Sequence, residues 1–210
     1  MGYFTDPNNN FTIYDAPKGG GSTVRAWIYY AGTGNLHLES LNVDGYYSGG
    51  SDEPRQLGEW GYKLDYFREV PGERVCIKRD PVSRFISCYE DKIIKEGKLN
   101  RIGIDPLLDN FEHILKTNDH PHLQNTSVGF MWYHFAPQTE IFGKDVEYYT
   151  HVFNLSEVGV GLKSYLEGKW SIELPDIHCR KNSKRRIELT DEQISKVKEI
   201  YSDDYKYGWF

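Results

Sequence analysis

The stretch PKGGGST, Pro17 to Thr23, follows an apolar run, FTIYDA, and gathers groups that hold an anion. Glycines let successive backbone N–H groups point at one negative charge. The start of a helix adds unpaired donors and a partial positive charge. Lys18 contributes a full positive charge, and Ser22 and Thr23 contribute hydroxyls. The order of these residues matters. The common triphosphate loop reads GxxxxGK[ST], with its lysine and hydroxyl after the last glycine. Here Lys18 precedes Gly19, Gly20 and Gly21, so the stretch predicts a phosphate loop of another kind.

A second stretch, KRDPVSRFISCY, runs from Lys78 to Tyr89. It reads as a strand end, a DP turn and a helix. Arg79 then stands at the C-terminal edge of a strand, where open α/β sheets take their ligands. Ser87 lies one helical turn beyond Ser83 and faces the same way. An arginine and a serine converging there suit a second phosphate; a structural turn pair between Arg79 and Asp80 is the plainer alternative. A proton acceptor has several candidates: His37 and Glu39 in NLHLES, the nearby Asp44, His120 and His122 in NDHPHLQ, and His134 in HFAPQ.

The elements that must position these groups are visible as periodicities. FTIYDA reads as a buried strand, and Val24, Trp27, Ile28 and Ala31 mark one face of a helix over 22–31. Residues 32–60 are rich in Gly, Asn, Ser and Asp and read as loop. ERVCIKR, 73–79, reads as a second strand. Val82, Phe85, Ile86, Tyr89 and Ile93 give the next helix, stopped at Gly97. Asp105 and Pro106 open a further helix through Leu107, Leu108, Phe111, Ile114 and Leu115. VEYYTHVFN, 146–154, reads as a strand and LSEVGVGLKSYLEG as a helix. Thr190 and Gln193 form a capping box ahead of a stripe of Ile194, Val197, Ile200 and Tyr201. Alternating strands and helices predict a single domain over 1–210: a P-loop-like three-layer α/β/α fold with a central, mostly parallel sheet.

Composition narrows the partners. The chain has 210 residues, 39% of them hydrophobic, and a net charge of −6, which argues against general nucleic-acid binding. A local cationic run, CRKNSKRR from Cys179 to Arg186, suits a small anionic ligand on that acidic background. Three cysteines, Cys76, Cys88 and Cys179, odd in number and widely spaced, give no disulfide framework and no zinc pattern. The start, MGYFTDPNNN, lacks the pattern of a signal peptide, and no run is long enough to span a membrane. A soluble, cytoplasmic protein is expected.

Together, the lysine-first loop and the later strand–RDPxxRxxS–helix unit resemble the sulfotransferase superfamily, in particular the branch with carbohydrate sulfotransferases. Pro17, Lys18, Gly20, Ser22 and Thr23 fill the positions of that family's loop, PKxGxT or PKxGST, while Gly19 and Gly21 fall on its variable positions. Arg79 and Ser87 match its 3′-phosphate motif. HFAPQTEIFG resembles its HWxPQ segment. KNSKRRIELTDEQISKVKEIYSDDYKYGW resembles its closing N-x-S, LT-x-E and Y-x-x-D pattern. The chain looks like a minimal bacterial or viral member.

The resemblance implies 3′-phosphoadenosine-5′-phosphosulfate as co-substrate, a carbohydrate or small-molecule hydroxyl as acceptor, and no metal. It implies Lys18 as the group beside the bridging oxygen. Gly19 to Thr23 would hold the 5′-phosphate and Arg79 with Ser87 the 3′-phosphate. Lys184 and Arg185 would be the nucleotide contacts near the last helix, with Lys181 and Arg186 as further candidates. His134 best matches a family position for the base; His37, Glu39 and His122 remain alternatives. Two other readings stay open. One is a P-loop kinase-like phosphotransferase; the other is a non-catalytic phospho-ligand or carbohydrate-binding module.

Overall fold

The computed structural model describes residues 2–6, 8–36, 72–97, 134–177 and 187–210. The expected helix over 105–116, the loop over 37–60, and His37, Glu39, Asp44, His120, His122, Cys179, Lys181, Lys184, Arg185 and Arg186 lie outside them.

Strands β1 (Gly2–Asp6), β2 (Phe11–Asp15), β3 (Glu73–Lys78) and β4 (His151–Asn154) form one sheet in the order β1-β2-β3-β4. β1 pairs antiparallel with β2, while β2, β3 and β4 run parallel, with Ile13 opposite Val75 and Val75 opposite His151. All three parallel strands therefore end on the same edge of the sheet.

Side-chain alternation along these strands supplies two apolar faces. Phe11, Ile13, Val75 and Ile77 pack against Val24, Ala26 and Trp27 of α1 (Gly21–Thr33), and against Val158, Leu162 and Leu166. The last of these belongs to α4 (Lys163–Trp170). Tyr14 and Cys76 point the other way, onto Ile141 and Phe142 of α3 (Gln138–Phe142) and onto Trp209. Helices thus cover both faces, and the three-layer α/β architecture expected from the sequence is the one found. A third cluster joins α2 (Pro81–Cys88) to α5 (Asp191–Ile200) through Phe85, Ile86, Tyr89, Val197 and Tyr201. A short α6 (Ser202–Lys206) follows. No described helix is long and apolar enough to cross a membrane.

Several elements differ from their sequence expectation. The first ten residues give β1 and a turn: the buried Asp6 accepts the N–H groups of Asn8 and Asn9 and the indole N–H of Trp170. The strand expected over 146–154 is only its last four residues. Asp145 accepts the Glu147 N–H and closes Val146–Tyr148 into a 3₁₀ turn before the strand begins. The helix expected after Asn154 starts as one 3₁₀ turn, closed by an Asn154–Glu157 capping box. It then widens into a π turn over Val158–Leu162 before becoming α4. Glycine is a poor helix former, and at Gly161 a Cβ would come within 3.3 Å of the Phe153 ring. The helix after Arg79 also changes character, from α over Pro81–Cys88 to π over Tyr89–Lys95.

Candidate active site

The loop after β2 enters α1 through an unusual backbone. Lys18 has φ of 66° and Gly20 a φ of 92°, both left-handed. That conformation costs a non-glycine residue on the order of 1–2 kcal/mol, so something must hold Lys18 there. The Arg79 guanidinium does so from the end of β3, donating from Nη1 to the Lys18 carbonyl at 2.8 Å. Gly19 N–H donates back to the Ala16 carbonyl at 2.9 Å, closing the turn. Gly20 is the N-cap of α1 and uses no side chain to cap it. Gly21 and Ser22, as the first two helical residues, have N–H groups without a helical carbonyl to receive them. The loop therefore presents backbone donors at a helix start, the arrangement that favours an anion.

Position 21 is not free to vary in this chain. A Cβ there would lie 1.5 Å from Oδ2 of Asp15, and one at position 19 would lie 2.9 Å from the Ala16 carbonyl oxygen. The Asp15 carboxylate, 15% exposed, pairs with Arg25 Nη1 at 3.4 Å, and Arg25 Nη2 also donates to the Ser22 hydroxyl at 3.4 Å. Burial pushes the Asp15 carboxyl up, and the Arg25 charge opposes that.

Arg79 is held as firmly as the loop. The amide of Gln138, fully buried, accepts the Arg79 N–H at 2.9 Å and donates to the Arg79 carbonyl at 2.8 Å. Gln138 is fixed in turn by Asp204, also fully buried, whose carboxylate accepts the N–H groups of Gln138 at 2.9 Å and Thr139 at 2.8 Å. Tyr201 donates its hydroxyl to the Phe135 carbonyl at 2.6 Å. Arg84, 1% exposed, donates to the carbonyls of His134 and Ala136. The PQ and Y-x-x-D motifs, far apart in sequence, thus form one brace behind Arg79. Asp80 is the N-cap of α2 and accepts the Ser83 N–H at 2.7 Å, so its carboxylate serves the helix start.

The structure brings Lys18, Gly19, Gly20, Gly21, Ser22, Thr23 and Arg79 to one edge of the sheet. Ser87 is half-buried on α2, one turn before Asp91, whose carboxylate lies 3.1 Å from Lys18 Nζ. His134 is 8% exposed, and its carbonyl accepts from Arg84 at 3.1 Å and from the Cys88 thiol at 2.9 Å. Burial raises the Cys88 thiol, against the cations of Arg84, Lys18 and Arg79, so it is a neutral filler beside the site.

Sequence reasoning did not single out Asp15, Arg25 or Asp91, and it held Gln138 and Asp204 only as letters of the PQ and Y-x-x-D motifs. Their place in those motifs is the signal that the sequence carries for them. Asp91 carries another, four residues beyond Ser87.

Compared with known families, residues 2–207 match the model described as the sulfotransferase family. Neither the curated proteins nor the solved structures contain a match to the chain. A match over nearly the whole chain, on an α/β sheet whose lysine-first glycine loop and Arg79 meet at one edge, settles its membership: the chain belongs to the sulfotransferase family.

Proposed function

We propose that the chain moves a sulfuryl group from 3′-phosphoadenosine-5′-phosphosulfate to a hydroxyl of a carbohydrate or small-molecule acceptor. The observation that carries this reading is the 2.8 Å bond from Arg79 to the Lys18 carbonyl. It couples a helix-start phosphate loop to the residue matching the family's second phosphate motif. Two such groups on one edge fit a nucleotide with phosphates on both its 3′ and 5′ oxygens, whereas a triphosphate needs a single continuous cradle.

In the transfer, the bond from sulfur to the bridging phosphate oxygen breaks and its electron pair stays with that oxygen. A new bond forms between sulfur and the acceptor oxygen, whose proton passes to a base. Catalysis of this kind rests on positioning and on stabilising the charge that develops on the leaving phosphate. Lys18 is assigned to that charge. The N–H groups of Gly19 to Ser22 and the hydroxyls of Ser22 and Thr23 are assigned to the 5′-phosphate, and Arg79 with Ser87 to the 3′-phosphate. Lys184 and Arg185 remain proposed nucleotide contacts. For the base, the low exposure of His134 weighs against direct contact with an acceptor and favours His37, Glu39 or His122.

Calorimetry with 3′-phosphoadenosine-5′-phosphate and with ATP tests the donor. Binding of the bisphosphate without binding of ATP is expected; magnesium-dependent ATP turnover would replace this reading with a kinase-like one. Lys18→Ala is expected to abolish transfer while only weakening bisphosphate binding. Unchanged transfer in that variant refutes the assignment of Lys18.

A further inference from the structure

Asp91 sits in the π-helical stretch Tyr89–Lys95 that continues α2. A π turn holds more residues than an α turn, so it re-aims the side chains beyond it. The Glu96 N–H reaches back to the Asp91 carbonyl at 3.1 Å, which closes that wide turn. Asp91 Oδ2 then lies 3.1 Å from Lys18 Nζ and 3.5 Å from Lys92 Nζ. Lys92 is shared, since it also bonds Glu96. The side chains of Lys18 and Asp91 are 21% and 20% exposed, so water screens the pair only in part. Burial pushes the Asp91 carboxyl up, but the ammonium groups of Lys18 and Lys92 outweigh it and leave it below the ordinary carboxylate range.

Lys18 is therefore held at two points from two elements. Its carbonyl is held by Arg79, just after β3, and its ammonium by Asp91, beyond α2. The ammonium is also the group assigned to the leaving phosphate.

We propose that Asp91 is a positioning residue for Lys18: a fixed carboxylate that sets the ammonium at the mouth of the phosphate loop and competes with the phosphosulfate for it. This inference rests on the proposed function above. Asp91 itself touches no reacting atom in this scheme; it acts through Lys18. Asp91→Asn releases the ammonium to the nucleotide, so the bisphosphate binds more tightly. The same release lets the ammonium wander from the bridging oxygen, so bond cleavage slows. A purely structural aspartate gives the opposite binding result, because its loss loosens the site.

The test titrates 3′-phosphoadenosine-5′-phosphate into the full chain, Asp91→Asn, Lys18→Ala and the double variant. Asp91→Asn is expected to lower Kd by about two- to fivefold, the range of a partly exposed ion pair that must be given up on binding. In the Lys18→Ala background the change is expected to shrink below about twofold, because simple charge repulsion would persist there and competition for Lys18 would not. Hydrolysis of the phosphosulfate to water, which needs no acceptor, is expected to fall in Asp91→Asn and to recover in part in Asp91→Glu. Lys92→Ala gives an independent arm should Asp91→Asn not fold. Freed of its second cation, Asp91 grips Lys18 harder, and nucleotide binding weakens only where Lys18 is present. Unchanged or weaker binding in folded Asp91→Asn, or an equal gain with and without Lys18, overturns the inference. Should Asp91→Asn not fold, Lys92→Ala without a Lys18-dependent loss overturns it. Wild-type protein that does not bind the bisphosphate overturns the proposed function instead.

Discussion

Gln138→Ala isolates the brace behind Arg79. The wild-type amide makes two bonds to one residue, at 2.9 Å to the Arg79 N–H and 2.8 Å to its carbonyl. Each intramolecular bond of this kind is worth about 0.5–1.5 kcal/mol net, and stranding its partner adds a desolvation cost. Gln138 has no exposed surface, so its truncation also leaves a void. The sum is about 2–4 kcal/mol, a large share of the stability of a domain of this size. Because Arg79 also holds the Lys18 carbonyl, nucleotide affinity should fall together with stability, by about tenfold for each 1.4 kcal/mol of lost positioning. Gln138→Glu keeps the volume but sets a carboxylate oxygen against the Arg79 carbonyl, and is expected to cost at least as much. Urea unfolding gives the stability change, and calorimetry with the bisphosphate gives the affinity. A variant within about 1 kcal/mol of wild type, or one destabilised with wild-type affinity, would refute the idea that Gln138 holds Arg79 for the ligand.

Four other outcomes are expected. Gly21→Ala should weaken nucleotide binding and lower the melting temperature, because Asp15 must leave its place beside Arg25. Gly32→Ala, where a Cβ meets nothing within 4 Å, should instead stabilise by about 0.5–1 kcal/mol; equal effects at the two sites would defeat the argument. Glu73 is held to about 2, from an ordinary 4.5, by bonds from Lys169, Tyr165 and His151. A depressed carboxylate contributes stability above its unfolded value and loses it as pH falls through the folded one. The melting-temperature gap between wild type and Glu73→Gln should therefore be full at neutral pH and close between about 4.5 and about 2; a gap constant with pH would count against this. Thr190→Ala should cost about 1 kcal/mol in urea unfolding, because its side chain accepts the Gln193 N–H at 3.2 Å in a reciprocal capping box; a neutral result would mean that α5 draws little from its cap.

Much of this was legible in the residues. The apolar spacing that predicts a helix beyond Ser22 puts Val24 and Trp27 in the core, with α1 itself starting one residue earlier. The capping box at Thr190 and Gln193 appears as read. Arg79, read as the last residue of the strand ERVCIKR, stands directly after β3, which ends one residue earlier at Lys78. Periodicity misled where local chemistry overrode it. Asp145 turned the first three residues of one expected strand into a 3₁₀ turn, and Gly159 and Gly161 fall in the π turn that replaced part of one expected helix. The brace of Gln138, Asp204 and Arg84 was visible only as motif letters, because buried polar residues reveal their partners only when the chain is folded.

The sequence by itself determined the local devices: a lysine-first glycine loop, an RDP turn into a helix, and the strand–helix alternation that implies a parallel sheet. These follow from φ preferences, capping and side-chain period, which act over a few residues. The tertiary structure alone decided which of these devices meet. Parallel registry of β2 and β3 brings Arg79 to the Lys18 carbonyl across 61 residues. The change from α to π after Cys88 brings Asp91 to the Lys18 ammonium. Strand order, register and helix winding are set by how the whole core packs, and no short window of sequence contains that sum.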